Sequence, residues 1–314
     1  LLAIAFLIAG LIILVLDLGK PDRLIVAMTT YNFKSIFAWN IFLYSGFAVV
    51  LAAYIWTMLD REVNKFSKYV GTFAFGWRII LTTGTGSIFG FLVAREAYAT
   101  AILAPLFIVM SLLYGTAVYF LILKTISKFH KTYISNDILM NLRRLTVMFL
   151  FANLYFLFLY HITNMYIAKH VEYEIFILSN GGIYTFAFWL GQLLIGIILP
   201  IIVINSKKLC NELSLIISSI LILIGSFVAM YVIIIGGQAY PLTIFPDHII
   251  IESSFYDNVV HSYVPSLYEF GLGLGGVALA LIIVLIGIAN FKFLPTLIKS
   301  PKKNLSDEQE NTAG

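Results

Sequence analysis

Apolar stretches close to the length needed to cross a bilayer recur through the chain, at about 1–18, 36–59, 69–94, 99–124, 143–168, 184–204, 212–236 and 266–290. About twenty residues of helix rise ~30 Å, the depth of the hydrocarbon layer. Of the 314 residues 61% are hydrophobic and only 11% are charged, against about 25% charged in a soluble domain. Too few polar side chains are available to cover a water-facing surface, so lipid must cover it. The expected fold class is therefore all-α, a polytopic transmembrane helical bundle with eight spans visible. Residues 1–299 form the membrane domain and 300–314 a polar tail. The chain opens on Leu1-Leu2-Ala3, already inside an apolar run and without a signal-peptide pattern, so upstream sequence with at least one further span is expected.

Basic residues give an orientation. Lys20, Arg23, Lys34, Arg95 and Lys169 are the 5 that fall in the first, third, fifth and seventh loops. The remaining loops and the tail carry 14, and Arg78 lies within a span. The richer side faces the cytoplasm, together with the C-terminus, and the loop 237–265 faces outward.

Redox groups held by the chain itself are hard to place. Cys210 is the single cysteine, and an iron–sulfur cluster takes about four ligands. Among His130, His161, His170, His248 and His261, only His161 falls well inside a span. The chain is expected to hold neither a haem nor a cluster, and no metal site.

Ionisable groups within a bilayer cost about 2.5–3.5 kcal/mol at mid-depth and so ask for an explanation. Asp17, Trp39, Asn40, Tyr44, His161, Asn164, Gln192 and Glu269 all lie toward the outer ends of their spans. His161 and Asn164 share a helix face with Asn153 and Tyr160. Such a stripe serves either as hydrogen-bond glue between helices, worth about 0.6 kcal/mol per bond, or as a pocket for a polar head group. Arg78 stands deeper. It reads as a buried ion pair, as a snorkelling side chain, or with Glu269 as part of a proton path.

The glycines of the run Gly271-Leu272-Gly273-Leu274-Gly275-Gly276 follow no strand. Like Gly84, Gly86 and Gly90, they suit close helix packing better than phosphate binding. Pro105 and Pro200 are expected to kink their spans. The loop 237–265 has neither Lys nor Arg. With its prolines and tyrosines it reads as an interfacial aromatic belt or as a docking platform, in which Gln238, Tyr240, Pro241, Phe245, Asp247 and Tyr263 would meet an external partner.

Two segments carry a resemblance across nearly the whole chain. Leu16-Asp17-Leu18-Gly19-Lys20-Pro21-Asp22-Arg23, followed by Ser35 and Trp39-Asn40, resembles the signature of the NrfD/PsrC-like membrane subunits. Lys20 stands where that signature more often has Arg. Gly236-Gly237-Gln238-Ala239-Tyr240-Pro241-Leu242, with Phe245-Pro246-Asp247 and Pro265-Ser266-Leu267-Tyr268-Glu269, is similar to the DsrP-type branch, which serves sulfite-reduction-associated complexes. The resemblance implies eight to ten spans built around two four-helix bundles and a haem-free subunit of an oxidoreductase complex. It also implies a menaquinone or menaquinol site near the outer surface. The implied partners are an externally docked ferredoxin-like iron–sulfur subunit and other membrane subunits, including a haem b subunit. His161 or Asp17 would exchange the proton, Asn40, Asn164 and Gln192 would orient the ring, and Trp39 and Tyr44 would wall it. A transporter or ion channel using Arg78 and Glu269, or a purely structural anchor, are the competing readings.

Overall fold

The computed structural model describes residues 1–129, 134–206, 211–241, 260 and 263–290. Phe245, Asp247, Cys210, His130, His248, His261 and the tail lie outside the described residues. Among the described residues every regular element is helical, as the apolar periodicity requires. The helices are α1 (Leu2–Leu16), α2 (Arg23–Thr29), α3 (Ile36–Leu59), α4 (Ser67–Gly90), α5 (Leu103–Phe129), α6 (Asn136–Tyr166), α7 (Val171–Ile175), α8 (Ile183–Ile204), α9 (Asn211–Ala239) and α10 (Leu267–Asn290).

Six of them, α3, α5, α6, α8, α9 and α10, are long and apolar enough to cross a membrane. The other two expected spans differ. Helix α1 has 15 residues and is short for a crossing. Helix α4 has 24, but Arg78, threonines and glycines dilute its apolar character. Its threonines are internally satisfied: the hydroxyls of Thr82, Thr83 and Thr85 donate to the carbonyls of Arg78, Ile79 and Leu81 at 2.9, 2.9 and 3.1 Å. Large apolar side chains such as Val49, Phe158 and Phe227 are exposed on the helix exteriors. In water that would be a liability; in lipid it is the expected surface.

The chain divides into two compact units. The first comprises Leu1–Ile108, Ile162–Tyr173 and Gly237–Phe293. Within it α3 and α4 run antiparallel: Gly71 faces Tyr54, Gly46 faces Trp77, and Gly84 faces Asn40 and Leu43. Trp77 Nε1 donates to the carbonyl of Leu43 at 3.0 Å, across the bare backbone that Gly46 leaves. Leu7, Phe47, Leu51 and Leu81 form the core. Helix α10 packs on α1, with Gly276 against Ile13 and Gly287 against Leu1. Gly271, Gly273 and Gly275, expected as packing residues, face open space instead, because only one stripe of α10 meets α1. At the start of α10, Ser266 Oγ accepts from the Glu269 N–H at 3.3 Å while the Glu269 carboxylate accepts from the Ser266 N–H at 2.7 Å. This is a reciprocal helix cap.

Of the described residues, the second unit comprises Val109–His161 and Glu174–Gly236. Phe120, Leu139, Leu142, Ile204 and Leu215 form one part of its core, and Leu113, Ala117, Leu150 and Ile222 another. Helices α8 and α9 approach backbone to backbone where Gly196 meets Gly225. From Ala187 to Ile198 α8 winds as a π-helix and returns to α at Leu199, beside Pro200. Proline lacks the N–H that would continue the ladder, so a change of winding falls where a kink was expected.

Candidate functional site

In the second unit a buried acid meets a histidine. Ala168–His170 and Val171–Ile175 are helical, continuing as a π-turn to Asn180, where the charged stretch 169–183 reads from the sequence as an outer loop. The helical course carries Glu174 inward, where it is 1% exposed. Its Oε1 is in hydrogen-bond contact with Nδ1 of His161, near the end of α6. Desolvating one charge in isolation is costly, and pairing with shared hydrogen bonding offsets that cost.

The third wall comes from α8. Gly182, at φ +57°, takes a conformation that glycine enters without steric penalty, and turns the chain from the π-turn into α8. Thr185 closes that corner by donating to the Phe176 carbonyl at 3.1 Å and accepting from the Gly181 N–H at 2.9 Å. Phe188 then meets the His161 ring edge-on, with centroids 4.7 Å apart. Gln192, four residues on, is 5% exposed, and its Oε1 has no hydrogen-bond partner among the described residues. A buried carbonyl oxygen without a donor carries a desolvation cost of about 1–3 kcal/mol. Phe186, Trp189, Leu190 and Leu194, with Thr185, line an open groove of about 520 Å³. Trp189 Nε1 is satisfied by the Leu178 carbonyl at 2.9 Å, so the groove presents mainly apolar surface.

The first unit holds other expected residues in separate places. Asn164 and His170 are both buried, with Nδ1 of His170 3.3 Å from Asn164 Oδ1. Asn40 Nδ2 donates to the Ile36 carbonyl at 3.1 Å, and its buried Oδ1 lies against Gly84 without a donor among the described residues. Trp39 Nε1 donates to the Phe33 carbonyl at 3.0 Å, within a cluster that includes Phe42, and Tyr44 packs on the Leu7–Leu81 core. Asp17 is exposed at the end of α1 and acts electrostatically on Tyr263, whose hydroxyl donates to Glu269 at 3.0 Å. Glu269 is thereby engaged in the cap of α10. Arg78 is exposed, its guanidinium 5.7 Å from the Phe47 ring.

Loop residues of the first unit gather around Gln238 and Tyr240. Arg95 donates to their backbone carbonyls at 2.8 and 3.4 Å. The Tyr240 hydroxyl donates to Glu172 at 3.4 Å, and its ring meets Tyr173 edge-on. Burial first, then the charges of Glu96 and Glu172 and the bond to Glu172, push the Tyr240 phenol up to about 12. Burial raises Tyr98 to about 12 as well, against the opposing effects of Arg95 and a bond to Gln238. Glu96 is raised by burial and by Glu172, with Lys169 acting in the other direction.

His161 and Gln192 were thus legible as candidates, whereas Glu174, Glu172, Glu96 and His170 were not. The signal for Glu174 was the apolar run Ile175–Leu178 directly behind it, which is continuous with a helix rather than with a loop. The cap of α10 was written in the spacing of Ser266 and Glu269 before an apolar run.

Comparison with known proteins gives these features a setting. The family described as polysulphide reductase, NrfD, matches residues 1–241. The Hdr-like menaquinol oxidoreductase integral membrane subunit of Archaeoglobus fulgidus is 28% identical over 297 residues, 94% of this chain and 74% of that protein. A selenate reductase subunit of Mesobacillus selenatarsenatis is 23% identical over 347 aligned residues, 98% of this chain and 78% of that protein. The chain belongs to the NrfD family and is a multi-pass integral membrane protein.

Proposed function

We propose that this NrfD-family chain is the quinol-interacting membrane subunit of a respiratory electron-transfer complex, with menaquinol as substrate. It holds no haem of its own and passes electrons to an externally docked iron–sulfur subunit. The likeness to a menaquinol oxidoreductase subunit supports the quinol. The segments at 16–23 and 236–269 favour the DsrP-type branch, linked to sulfur or sulfite metabolism and accompanied by other membrane subunits, including one with haem b.

In this reading α1 and α4 cross the membrane with the six apolar helices, giving eight spans within a family architecture of two four-helix bundles. Contacts within each unit support the alternation of loops. Arg95 and Glu172, from two loops poor in basic residues, both bond to Tyr240 of a third. At the opposite set of loop ends, Lys124 pairs with Glu212 and Arg143 donates to Asn211 at 2.6 Å. The first set is placed outside by the charge count, with Gln238, Tyr240 and Pro241 toward the iron–sulfur partner and the C-terminus in the cytoplasm.

The observation that carries the reading is the His161–Glu174 contact, with Phe188 edge-on to the imidazole and, four residues further along α8, a buried Gln192 oxygen without a partner among the described residues. With Nδ1 donating to Glu174, Nε2 of His161 keeps its lone pair and serves as a base. Oxidation of a quinol breaks two O–H bonds and releases two protons and two electrons. His161 takes the proton of one ring hydroxyl and Glu174 stabilises the imidazolium, the proton of the other hydroxyl passes to water on the outer side, and the two electrons leave for the cluster of the partner. Gln192 Oε1 accepts the bond that a quinol hydroxyl offers and a quinone carbonyl cannot. Phe188 packs against the ring, and the groove along Phe186, Trp189 and Leu194 suits the isoprenoid tail. Asn40, Asn164, Trp39, Tyr44 and Asp17 stay as further quinone-site candidates, and Arg78 and Glu269 as candidates for a proton path.

The test is menaquinol-analogue oxidation by the purified complex carrying His161→Ala. Turnover should fall about 10²–10⁴-fold, the range for loss of a general base, with every partner polypeptide retained in the complex. Full turnover in the assembled variant would remove the reading.

A further inference from the structure

We infer that the face of α4 carrying Phe75 and Arg78 is an interface with a transmembrane helix of another subunit, and that this helix bears an Asp or Glu near mid-membrane. The inference rests on α4 crossing the membrane, as proposed above. Arg78 is 11 residues from Ser67 and 12 from Gly90, the ends of α4. At 1.5 Å per residue it is roughly 16–18 Å from either end, beyond the reach of its own side chain to an interface. The antiparallel partner fixes the same depth independently. Arg78 lies over Phe47, midway along α3, which is long and apolar enough to span.

At this depth the guanidinium is exposed, and among the described residues no carboxylate pairs with it. The neighbouring polar groups of α4 have no such deficit, since the threonine hydroxyls bond to their own helix. Phe75, three residues earlier and on the same face, is 59% exposed. A permanently charged group with five donors facing hydrocarbon is unfavourable, and an aromatic face beneath it compensates weakly. The ligand that meets both charge and donors is a carboxylate, which takes guanidinium in a two-bond fork.

Charge complementarity also argues against a second copy of this chain as the occupant. Among the described long apolar helices, Asp137, Glu212 and Glu269 stand in the first turns of α6, α9 and α10, and none lies at mid-depth. The carboxylate therefore comes from a different polypeptide, in keeping with relatives that are themselves subunits.

The experiment replaces Phe75 by a photo-reactive benzoylphenylalanine in the intact complex, leaving Arg78 in place, and maps crosslinked peptides by mass spectrometry. The expected product joins residue 75 to a membrane helix of another polypeptide with Asp or Glu within about one turn of the crosslink. In parallel, Arg78→Glu should reduce recovery of that subunit with the tagged chain at least about tenfold, while Arg78→Lys keeps it within about twofold. Crosslinks only to lipid, to a second copy, to another part of the same polypeptide, or to a helix without an acid would overturn the interface. A Phe75→Cys variant in a Cys210→Ser background distinguishes a failure of the span. Labelling by a membrane-impermeant maleimide would show that α4 does not cross at all; protection together with lipid-only crosslinks would sink the interface and leave the span intact.

Discussion

Nδ1 of His161 and Oε1 of Glu174 are in hydrogen-bond contact, thirteen residues apart in the chain, with the glutamate 1% exposed. A carboxylate so placed fixes which imidazole nitrogen carries the proton, and hence which one is a base.

Glu174→Gln tests that directly. The glutamine amide lacks the charge that stabilises the imidazolium, and its NH2 group can take the accepting oxygen's place and impose the opposite tautomer. Quinol oxidation by the complex should fall about 10²–10⁴-fold while the chain still assembles. Glu174→Asp, which keeps the charge but shortens the reach, should fall less. Equal activity of the Gln variant and the parent would show that the pair serves packing alone.

Gln192→Leu separates stability from function. The leucine removes a buried oxygen that has no donor among the described residues, so the purified chain should gain about 1–3 kcal/mol, seen as a higher Tm. The same change should raise KM for the quinol analogue. A loss of stability would mean that the oxygen is satisfied in the protein by an ordered water.

Glu96 gives a pH dependence. Burial, then Glu172, raise its pKa above the ordinary 4.5, so the native state holds this proton more tightly than the unfolded chain. That contribution is complete below the ordinary value and is lost as pH rises through the raised one. Glu96→Gln, which is never ionised, should therefore raise the Tm at about pH 8, with the gain shrinking toward about pH 4. A gain that grows on acidification would reverse the assigned sign.

Arg95 secures the end of α9 and the residue beyond it by donating to the Gln238 and Tyr240 carbonyls. Arg95→Met should cost about 1.5–3 kcal/mol for a charged hydrogen bond, less where solvent replaces it. Amide exchange should quicken around residues 238–241 with the rest of α9 unaffected. Unchanged exchange there would show that the peptide is held by other contacts.

Gly225 meets the backbone of Gly196, so a side chain at either position forces α8 and α9 apart. Gly225→Val should destabilise the chain by about 1–3 kcal/mol, the usual cost of overpacking, measured by thermal unfolding in detergent. Gly76→Val, where nothing lies within 4 Å of the added carbon, should have a much smaller effect.

The sequence by itself determined the helical membrane character of this protein and the approximate place of its crossings. Transfer into lipid is a sum over about twenty adjacent residues, so it can be read locally. Helix α4, read as a span at 69–94, is less apolar than the six helices that can cross a membrane, and Trp77 and the glycines facing α3 give it a packed partner. Candidate polar residues were also visible, because an amide or imidazole inside an apolar run stands out.

Which of them meet was a matter for tertiary structure. His161 and Gln192 entered the buried site as single residues, but Glu174 read as a loop charge until the helix after Ala168 carried it inward. Glu269, a prospective proton station, turned out to be engaged at the cap of α10. Hydropathy counts what each residue costs to bury. Only the three-dimensional fold decides which donor, acceptor or charge repays that cost, because such pairing depends on distances of a few ångströms between residues far apart in the chain.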